Sequence, residues 1–425
     1  MERWSHIVLE LLNLSVALVV SFSLLGFLIY KRVNLGITLN AAALLLAVLA
    51  VDLRNIPAIV YTTTVDPLTI AVVLATFGIM LLSQLYKETR VIDHLSESAG
   101  TIINNSKVVS SVLPAVIGFL PVAGGALMSA PLVDCQTEKL GLKSEKKAYV
   151  NVWFRHTIFP VYPLSQVLII TAALTGIAIP LIILRQVPVV IVMIAVGYLI
   201  GFWKVSEARK EERCQDFRSE LKRFLVSFSP ILSTIIAVAA IDVALNAAYP
   251  SLDIAKFGFD VAIATLIGLV VLVSISRPTR QVFMKPLRSW DIYGITLAAY
   301  GAFLLRNVVG AAGISEMLRT FAGNGSIDVL LLLTVVPAVL GFVTGSPSGG
   351  VAISVSILAG ILTFSPKTAA LLFMSAYMGY LIVPSHLCFA FTVDYFKCSM
   401  SKVYKYIIPS FLVTLAAALV VYFLL

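Results

Sequence analysis

The sequence predicts an all-α polytopic membrane protein built from two inverted repeats, with ten transmembrane helices and two re-entrant helical hairpins. Three observations lead to this prediction. The 425 residues are 59% apolar and 12% charged, with a mean hydropathy of +0.98, whereas soluble domains carry about 25% charged residues. Apolar runs long enough to cross a bilayer recur along the whole chain. Finally, a segment of the first half is repeated in the second half.

The length of each apolar run decides whether it can span the membrane. A helix rises 1.5 Å per residue, so about 20 apolar residues are needed to cross about 30 Å of hydrocarbon. Ten runs meet this requirement, and we predict spans at 7–30, 34–51, 67–86, 148–178, 181–203, 224–249, 257–276, 290–309, 367–396 and 403–425.

Two further apolar stretches, 108–135 and 327–362, are predicted to be hairpins and not spans. Proline and glycine interrupt each stretch near its middle, at Pro121–Gly125 in the first and at Gly345–Gly350 in the second. Each half is then too short to cross the bilayer. We therefore expect each stretch to enter and leave on the same side, where its irregular backbone is buried in protein or borders a polar cavity.

The basic residues predict the orientation. If the N-terminus is outside and neither hairpin crosses, 23 of the 31 lysine and arginine residues fall in inside segments and seven in outside segments. Arg155 is left within a span. Cytoplasmic loops of membrane proteins are enriched in lysine and arginine. The sequence thus predicts a multi-pass protein of the plasma membrane with both termini extracytoplasmic.

The internal repeat is visible at an offset of 223 residues. Val112–Phe119 and Val335–Phe342 share six of eight positions, including a proline and a glycine. Each repeat contains five crossings, an odd number, so the two repeats are predicted to be inverted in the membrane. The predicted divisions are an N-terminal repeat at 1–203 with hairpin 108–135, broken span 148–178 and span 181–203, a cytoplasmic linker at 204–223, and a C-terminal repeat at 224–425 with hairpin 327–362, broken span 367–396 and span 403–425.

Inverted repeats with broken helices are typical of secondary transporters that bind substrate near the bilayer midplane. A channel with two hairpins meeting at the midplane fits the same pattern, so the repeat does not decide between carrier and pore. We expect no enzyme, because the chain has no HExxH, GxSxG or paired-carboxylate motif. The four cysteines lack zinc-site spacing, so no metal and no cofactor are predicted. Acidic residues interleave with basic ones in the linker, and we expect no nucleic-acid partner.

The hairpin sequences carry a family resemblance. The run Gly-Phe-Leu-Pro-Val-Ala-Gly-Gly-Ala-Leu-Met-Ser-Ala-Pro at 118–131 and its counterpart at 341–350 resemble the hairpins of the ion transporter superfamily. That superfamily includes gluconate permeases, citrate and dicarboxylate symporters and arsenite-type carriers. Over its whole length the chain is most similar to a branch of ten-span archaeal and bacterial proteins of unknown function. The resemblance implies a homodimeric elevator transporter of small anions, driven by Na⁺ or H⁺.

The resemblance maps the substrate-binding tips onto 121–126 and 344–350. The Ser-Asn-Thr tips of the dicarboxylate branch are absent, because this chain has Val-Ala-Gly-Gly at 122–125 and Gly-Ser-Pro-Ser at 345–348. Helix N-termini at such tips favour anions, and glycine lets the backbone approach a ligand closely. The candidate residues at the tips are Gly124, Gly125, Thr344, Ser346, Ser348, Gly349 and Gly350. Tight helix packing for the glycines and bonds to their own backbone for the hydroxyls are the alternatives.

The broken spans add ionisable residues at membrane depth, which are functional candidates. Arg155 is a candidate counter-charge for an anion, or else a residue that extends to the membrane surface. Histidine is the side chain whose ordinary pKa lies near neutral pH, so His156 and His386 are candidates for relaying a coupling proton, with a structural role as the alternative. Ser385 adjoins His386 as a further substrate ligand, and Ser346 joins the two histidines as a candidate for cation coupling. Second-rank candidates are Asn151, Tyr162, Gln166, Tyr377 and Tyr380.

The predicted function is secondary active transport of a small organic anion of the carboxylate class, by elevator-type alternating access coupled to H⁺ or Na⁺. The expected partners are the substrate, the lipid bilayer and a second copy of the chain. Two alternatives stay open, namely an anion or ion channel and a protein that handles lipid headgroups with the same hairpins.

Overall fold

A computed structural model describes residues 2–103, 105–120, 125–206, 217–248, 259–314 and 328–425, and within these ranges every regular element is a helix. The helices of the first half are α1 (Glu2–Tyr30), α2 (Leu35–Ala50), α3 (Ile56–Val65), α4 (Pro67–Glu88), α5 (Val91–Ile102), α6 (Ser106–Gly118), α7 (Ala126–Lys139), α8 (Ser144–Arg155), α9 (Gln166–Thr175) and α10 (Ile179–Phe202).

The second half contains α11 (Phe217–Ala248), α12 (Phe259–Ser276), α13 (Arg280–Leu287), α14 (Trp290–Ala311), α15 (Val329–Thr344), α16 (Pro347–Leu358), α17 (Pro366–Leu381), α18 (Leu387–Tyr395) and α19 (Met400–Leu424). Apart from α5, whose position in the second half lies outside the described residues, the helices of the two halves follow one another in the same order and with similar lengths.

Seven helices in the described part of the chain are long and apolar enough to cross a membrane, namely α1, α4, α10, α11, α12, α14 and α19. The other three predicted spans are different. The span at 34–51 is the 16-residue helix α2, and the spans at 148–178 and 367–396 are each two short helices. Pro160 and Pro163 lie in the first interruption and Pro384 in the second, where proline removes a backbone donor. The total of ten crossings stays a prediction.

The two predicted hairpins are pairs of short helices that pack against each other, α6 with α7 and α15 with α16. Gly345 forms the second turn at φ +58°, and its N–H donates to the Phe342 carbonyl at 3.3 Å. Glycine adopts this left-handed conformation without a steric penalty. In the first hairpin, residues 121–124 lie outside the described residues.

Contacts between the two halves occur in matched pairs. Helix α2 packs on α14, and its counterpart α12 packs on α4; likewise α7 packs on α18, and α16 packs on α9. Such matched contacts arise when two related units pack together and the hairpin of each unit contacts the broken helix of the other. The inversion of the repeats and the domain boundaries at 203 and 224 stay predictions.

Two glycines at the repeat offset bring each hairpin close to the neighbouring broken helix. A Cβ atom at Gly118 on α6 would lie 2.6 Å from the carbonyl oxygen of Arg155 on α8. At the equivalent position, a Cβ atom on Gly341 of α15 would overlap the carbonyl oxygen of Ala376 on α17. Any larger residue would push the helices apart, so both broken helices depend on glycine for their distance from the hairpins.

Charged side chains connect segments that the sequence places on the inside. Among the described residues, four ion pairs join distant segments, Lys147–Asp134 and Lys285–Glu88 at 2.6 Å, Arg223–Glu97 at 2.7 Å and Lys402–Glu145 at 3.6 Å. All eight residues belong to predicted inside loops or to helix ends beside them. Arg185 and Lys367, two of the seven basic residues that the charge count assigns to the outside, also meet around one small cavity, together with Tyr422 near the end of α19. The fold therefore groups the segments as the charge count does.

Basic residues also end several helices. In the described ranges, the non-glycine residues with positive φ are Arg32, Arg90, Lys204, Arg277 and Lys397, at +42° to +58°. Each directly follows a helix or its last turn, on the side predicted to be cytoplasmic. A cation at a helix C-terminus interacts favourably with the helix dipole, which helps to offset the cost of the left-handed conformation, about 1–2 kcal/mol for a residue with a Cβ atom.

We expect Gly341→Ala to destabilise the protein by about 1–3 kcal/mol, because the added methyl group overlaps the Ala376 carbonyl in a packed interface. Thermal unfolding of the purified protein in detergent measures the change. The matched control is Gly26→Ala in α1, where nothing lies within 4 Å of the added Cβ atom. Equal melting temperatures for Gly341→Ala and the wild type would show that the α15–α17 contact is not tight.

The orientation can be measured with single-cysteine variants. Cys135 and Arg54 are both exposed, and the charge distribution predicts Cys135 inside and Arg54 outside. A membrane-impermeant maleimide added to intact cells should label a variant whose single cysteine is Arg54→Cys and leave one that retains only Cys135 unlabelled. Permeabilised cells, in which both should react, provide the control. Labelling of Cys135 alone in intact cells would reverse the predicted orientation.

Candidate functional site

A cavity of about 280 Å³ lies where the broken helices and the second hairpin meet. Its wall includes the first residues of four helices, α2, α9, α16 and α18, contributed by Asn34, Leu35, Ser165, Gln166, Val167, Ser346, Pro347, Ser348, Leu387 and Cys388. The volume is at the small end of ligand pockets, which span about 300–1,000 Å³. The cavity therefore fits a small molecule.

The four helix N-termini make the cavity electropositive, because the first N–H groups of a helix have no intrahelical acceptor and the dipole is positive at this end. Two of these ends are capped by side chains, since Asn34 Oδ1 accepts from Gly36 N at 2.8 Å and Ser346 Oγ accepts from Gly349 N at 3.3 Å. The other two helices, α9 and α18, occupy equivalent positions in the two repeats, and their N-cap residues Ser165 and His386 form no side-chain cap. Their free N–H groups suit an anion.

Arg155 adds a full positive charge to the same cavity. It is the last residue of α8, its side chain borders the cavity, and only 1% of the residue is exposed. Its Nη2 donates to the Leu120 carbonyl at 3.1 Å, while Nε and Nη1 have no partner among the described residues. A buried charge without a counter-charge is costly. An anion in the cavity would supply the missing acceptors.

Two polar groups near Arg155 are also buried without a hydrogen-bond partner in the described part of the chain. Ser165 Oγ and Gln166 Nε2 are buried and lack a hydrogen-bond partner within the described ranges, and both residues border the cavity. Most buried polar groups in proteins are hydrogen-bonded. The unpartnered groups here can all donate, so the cavity matches a ligand that accepts hydrogen bonds.

A second group of side chains lies in and behind one wall of the cavity and joins the two broken helices. The ring centroids of His156 and His386 are 4.7 Å apart, and those of Tyr380 and His386 are 4.2 Å apart. His156 Nδ1 is 2.6 Å from the Val152 carbonyl, and Tyr377 Oη donates to the His156 carbonyl at 2.7 Å. The last bond ties the C-terminal half directly to the break in the N-terminal half.

The cavity brings together five of the residues predicted from the sequence: Arg155, His156, Ser346, Ser348 and Ser385. Five others do not border it: Gly125, Thr344, Gly349, Gly350 and His386. Gly124 lies outside the described residues. The second-rank candidates Gln166, Tyr377 and Tyr380 also border the cavity, whereas Asn151 and Tyr162 do not.

The residues away from the cavity have identifiable structural contacts. Thr344 Oγ1 donates to the Leu340 carbonyl at 2.6 Å. A Cβ atom at Gly350 would lie 2.7 Å from Gly341 Cα, and one at Gly349 would lie 3.2 Å from Thr344 Cβ. Gly125 is the N-cap residue of α7. These contacts correspond to the packing and backbone roles that stood as alternatives for the hairpin tips.

Other cavity residues were not singled out in the sequence. Asn34 and Ser165 are N-cap residues, and no local pattern connects Asn34 with the breaks, because α2 reaches the cavity only through long-range packing. Cys388 does have a signal, since it follows the candidate His386 by two residues at the start of α18. Once His386 is chosen as a candidate, that spacing makes the cysteine a candidate too.

Comparison with solved structures finds the crystal structure of the Alcanivorax borkumensis YdaH transporter, which is described as having an unusual topology. The TM-score is 0.64 and the sequence identity 14%, and the match covers 94% of this chain and 97% of that chain. This likeness concerns the fold. Together with the seven apolar helices, it supports a multi-pass membrane protein.

No curated protein matches the chain. A family described as "Protein of unknown function (DUF401)" matches residues 13–425. Because the match extends over nearly the whole sequence, the chain belongs to the DUF401 family.

Proposed function

We propose that this protein is a secondary transporter of a small organic anion of the carboxylate class. The observation that carries the proposal is Arg155, a fully buried arginine whose Nε and Nη1 atoms lack partners among the described residues and which borders a cavity formed by four helix N-termini. The positive charge and the N–H groups without partners favour an anionic ligand.

A carboxylate fits this arrangement better than a point-like anion. Arginine presents adjacent N–H groups in a planar fork that matches the two oxygens of a carboxylate. Nη2 of Arg155 carries a second N–H besides the one that donates to Leu120, and this N–H can form such a fork with the unpartnered Nε or Nη1. Ser165 Oγ and Gln166 Nε2 offer further donors. The apolar part of the wall, including Phe159, Val167 and Ile170, suits a short carbon skeleton.

The architecture supports transport over catalysis. The repeated helix order and the matched contacts between halves agree with two inverted repeats and ten crossings, the arrangement in which secondary transporters place a site at the midplane. The structural neighbour is described as a transporter. We extend the proposal to membership of the ion transporter superfamily, to elevator-type movement and to a homodimer in the plasma membrane.

An H⁺ or Na⁺ gradient is proposed to drive uptake. His156 and Ser346 border the cavity, and His386 packs on His156 from behind the wall. Proton coupling would use the two imidazoles, and Na⁺ coupling would use oxygen ligands such as the Ser346 hydroxyl. The two mechanisms differ in which imposed gradient drives accumulation.

We expect the purified protein in liposomes to accumulate a labelled monocarboxylate or dicarboxylate, with saturable uptake under an imposed H⁺ or Na⁺ gradient. Protein-free liposomes provide the control. A panel of gluconate, succinate, citrate and inorganic oxyanions would define the substrate class. Non-saturable flux at rates far above carrier turnover would indicate a channel, and no uptake of any anion by folded protein would contradict the proposal.

Arg155→Gln should weaken binding of the transported anion about 30-fold or more, because it removes one partner of a buried charge pair. The readout is the concentration of anion needed to raise the melting temperature of the protein in detergent. The matched control is Arg185→Gln, an arginine whose Nη1 has no partner among the residues that the structure describes and which borders the small cavity beside Lys367. Equal anion affinities for the wild type and Arg155→Gln would show that Arg155 does not bind the anion. Arg155→Lys should retain part of the affinity.

A further inference from the structure

Three side chains that can ligate a metal meet inside the protein at the wall of the cavity. His156, at the end of α8, comes from the N-terminal half, whereas His386 and Cys388, at the start of α18, come from the C-terminal half. One donor atom from each lies within 4.8 Å of the others, and all three residues are buried. The two breaks of the repeat thus bring His156 of one half to the locally spaced pair His386 and Cys388 of the other half.

The hydrogen bonding of the two imidazoles leaves lone pairs free. His156 Nδ1 is 2.6 Å from the Val152 carbonyl, so it carries the proton and donates, and its Nε2 is left as an acceptor. A ring N–H donated to a backbone carbonyl is the usual second-shell arrangement of a metal-bound histidine. Both ring nitrogens of His386 are buried and form no hydrogen bond of ordinary geometry in the described part of the chain, although the Cys388 thiol lies next to this ring and to His156.

We propose that His156, His386 and Cys388 form a binding site for Zn²⁺ or a similar borderline metal ion. A set of two imidazoles and one thiolate binds Zn²⁺ in preference to Mg²⁺, Ca²⁺ or Na⁺. Three protein ligands are the number found in zinc sites that keep a fourth position open. The unpartnered nitrogens of His386 acquire a role that packing against Tyr380 does not supply.

The distances require only a small contraction on binding. With Zn–N near 2.0 Å and Zn–S near 2.3 Å in a tetrahedral site, donor atoms are about 3.5 Å apart. The present separations of up to 4.8 Å are closed by side-chain rotation of His386 and Cys388, which lie beside the break in the chain. Metal binding deprotonates the thiol, so the bound ion is held by one negative and two neutral ligands.

This inference goes beyond the proposed anion transport and departs from the sequence expectation of no metal. A metal ion would occupy both imidazoles, so the histidines could not also relay the coupling proton. Two of the three ligands, His156 and Cys388, border the cavity. The ion would therefore lie at the wall next to Arg155, and a bound anion would offset both positive charges.

The test is metal binding by the purified full-length protein in detergent, with no anion substrate present. Equilibrium dialysis with Zn²⁺ gives the stoichiometry and affinity, and Co²⁺ is the spectroscopic probe, because thiolate ligation gives it a charge-transfer absorption band. We expect one ion per chain in the wild type. Cys388→Ser should lose the charge-transfer band and bind Zn²⁺ at least about 100-fold more weakly than the wild type. His386→Gln should also lose affinity for Zn²⁺.

The matched control is Cys398→Ser, which removes a partly buried cysteine on the same segment and should bind Zn²⁺ as the wild type does. Metal-free melting curves establish that each variant is folded. Absence of bound metal in folded wild-type protein, or a charge-transfer band that survives Cys388→Ser, would overturn the proposal.

Arg155→Gln separates this inference from the proposed function. Removal of the neighbouring positive charge should leave Zn²⁺ binding intact or tighter, while anion binding weakens. If no anion binds to the wild type but Zn²⁺ does, the transport proposal fails and the metal site stands. If anions bind and Zn²⁺ does not, the metal site fails alone.

Discussion

The structure depends on one constraint, that the peptide groups released where a helix breaks inside the membrane must find partners within the protein. Both broken helices and both hairpins release such groups. The fold gathers three of the resulting helix N-termini, those of α9, α16 and α18, around one cavity together with the N-terminus of α2, and at α9 and α18 it leaves the first turn without a side-chain cap. The unpaired N–H groups at these helix N-termini therefore produce a positive electrostatic potential that is concentrated in the cavity.

The glycine contacts decide where that potential lies. Gly118 lets α6 touch the carbonyl of Arg155, so α8 ends beside the first hairpin and its last side chain is held at the break. In the second half, Gly341 lets α15 touch the Ala376 carbonyl within α17. The bond from Tyr377 Oη to the His156 carbonyl then joins the two breaks. The charge, the free N–H groups and the imidazoles are in this way parts of one packed unit drawn from both halves.

Local sequence patterns predicted the elements well, because span length, proline and glycine act over a few residues. The long helices, both breaks and both helix pairs were predicted in this way, and the repeat predicted that Arg155, His156 and His386 lie near equivalent breaks. What local patterns do not contain is the rotation of a short helix about its axis. On α16 this rotation turns Ser348 toward the cavity and Gly350 toward Gly341 of α15. Asn34 was missed for a related reason, since α2 reaches the site through packing between distant segments.

The five basic residues in the left-handed conformation have a consequence for how the protein fits bilayers of different thickness. Because the same residue ends a helix and carries a positive charge, the depth at which the chain leaves the hydrocarbon on the predicted cytoplasmic side is set by backbone and charge together. On the opposite side, α9 and α14 end at the glycines Gly176 and Gly313, which carry no charge. We therefore expect a thicker or thinner membrane to be accommodated at the predicted outer surface, while the predicted inner surface keeps its register with the lipid headgroups.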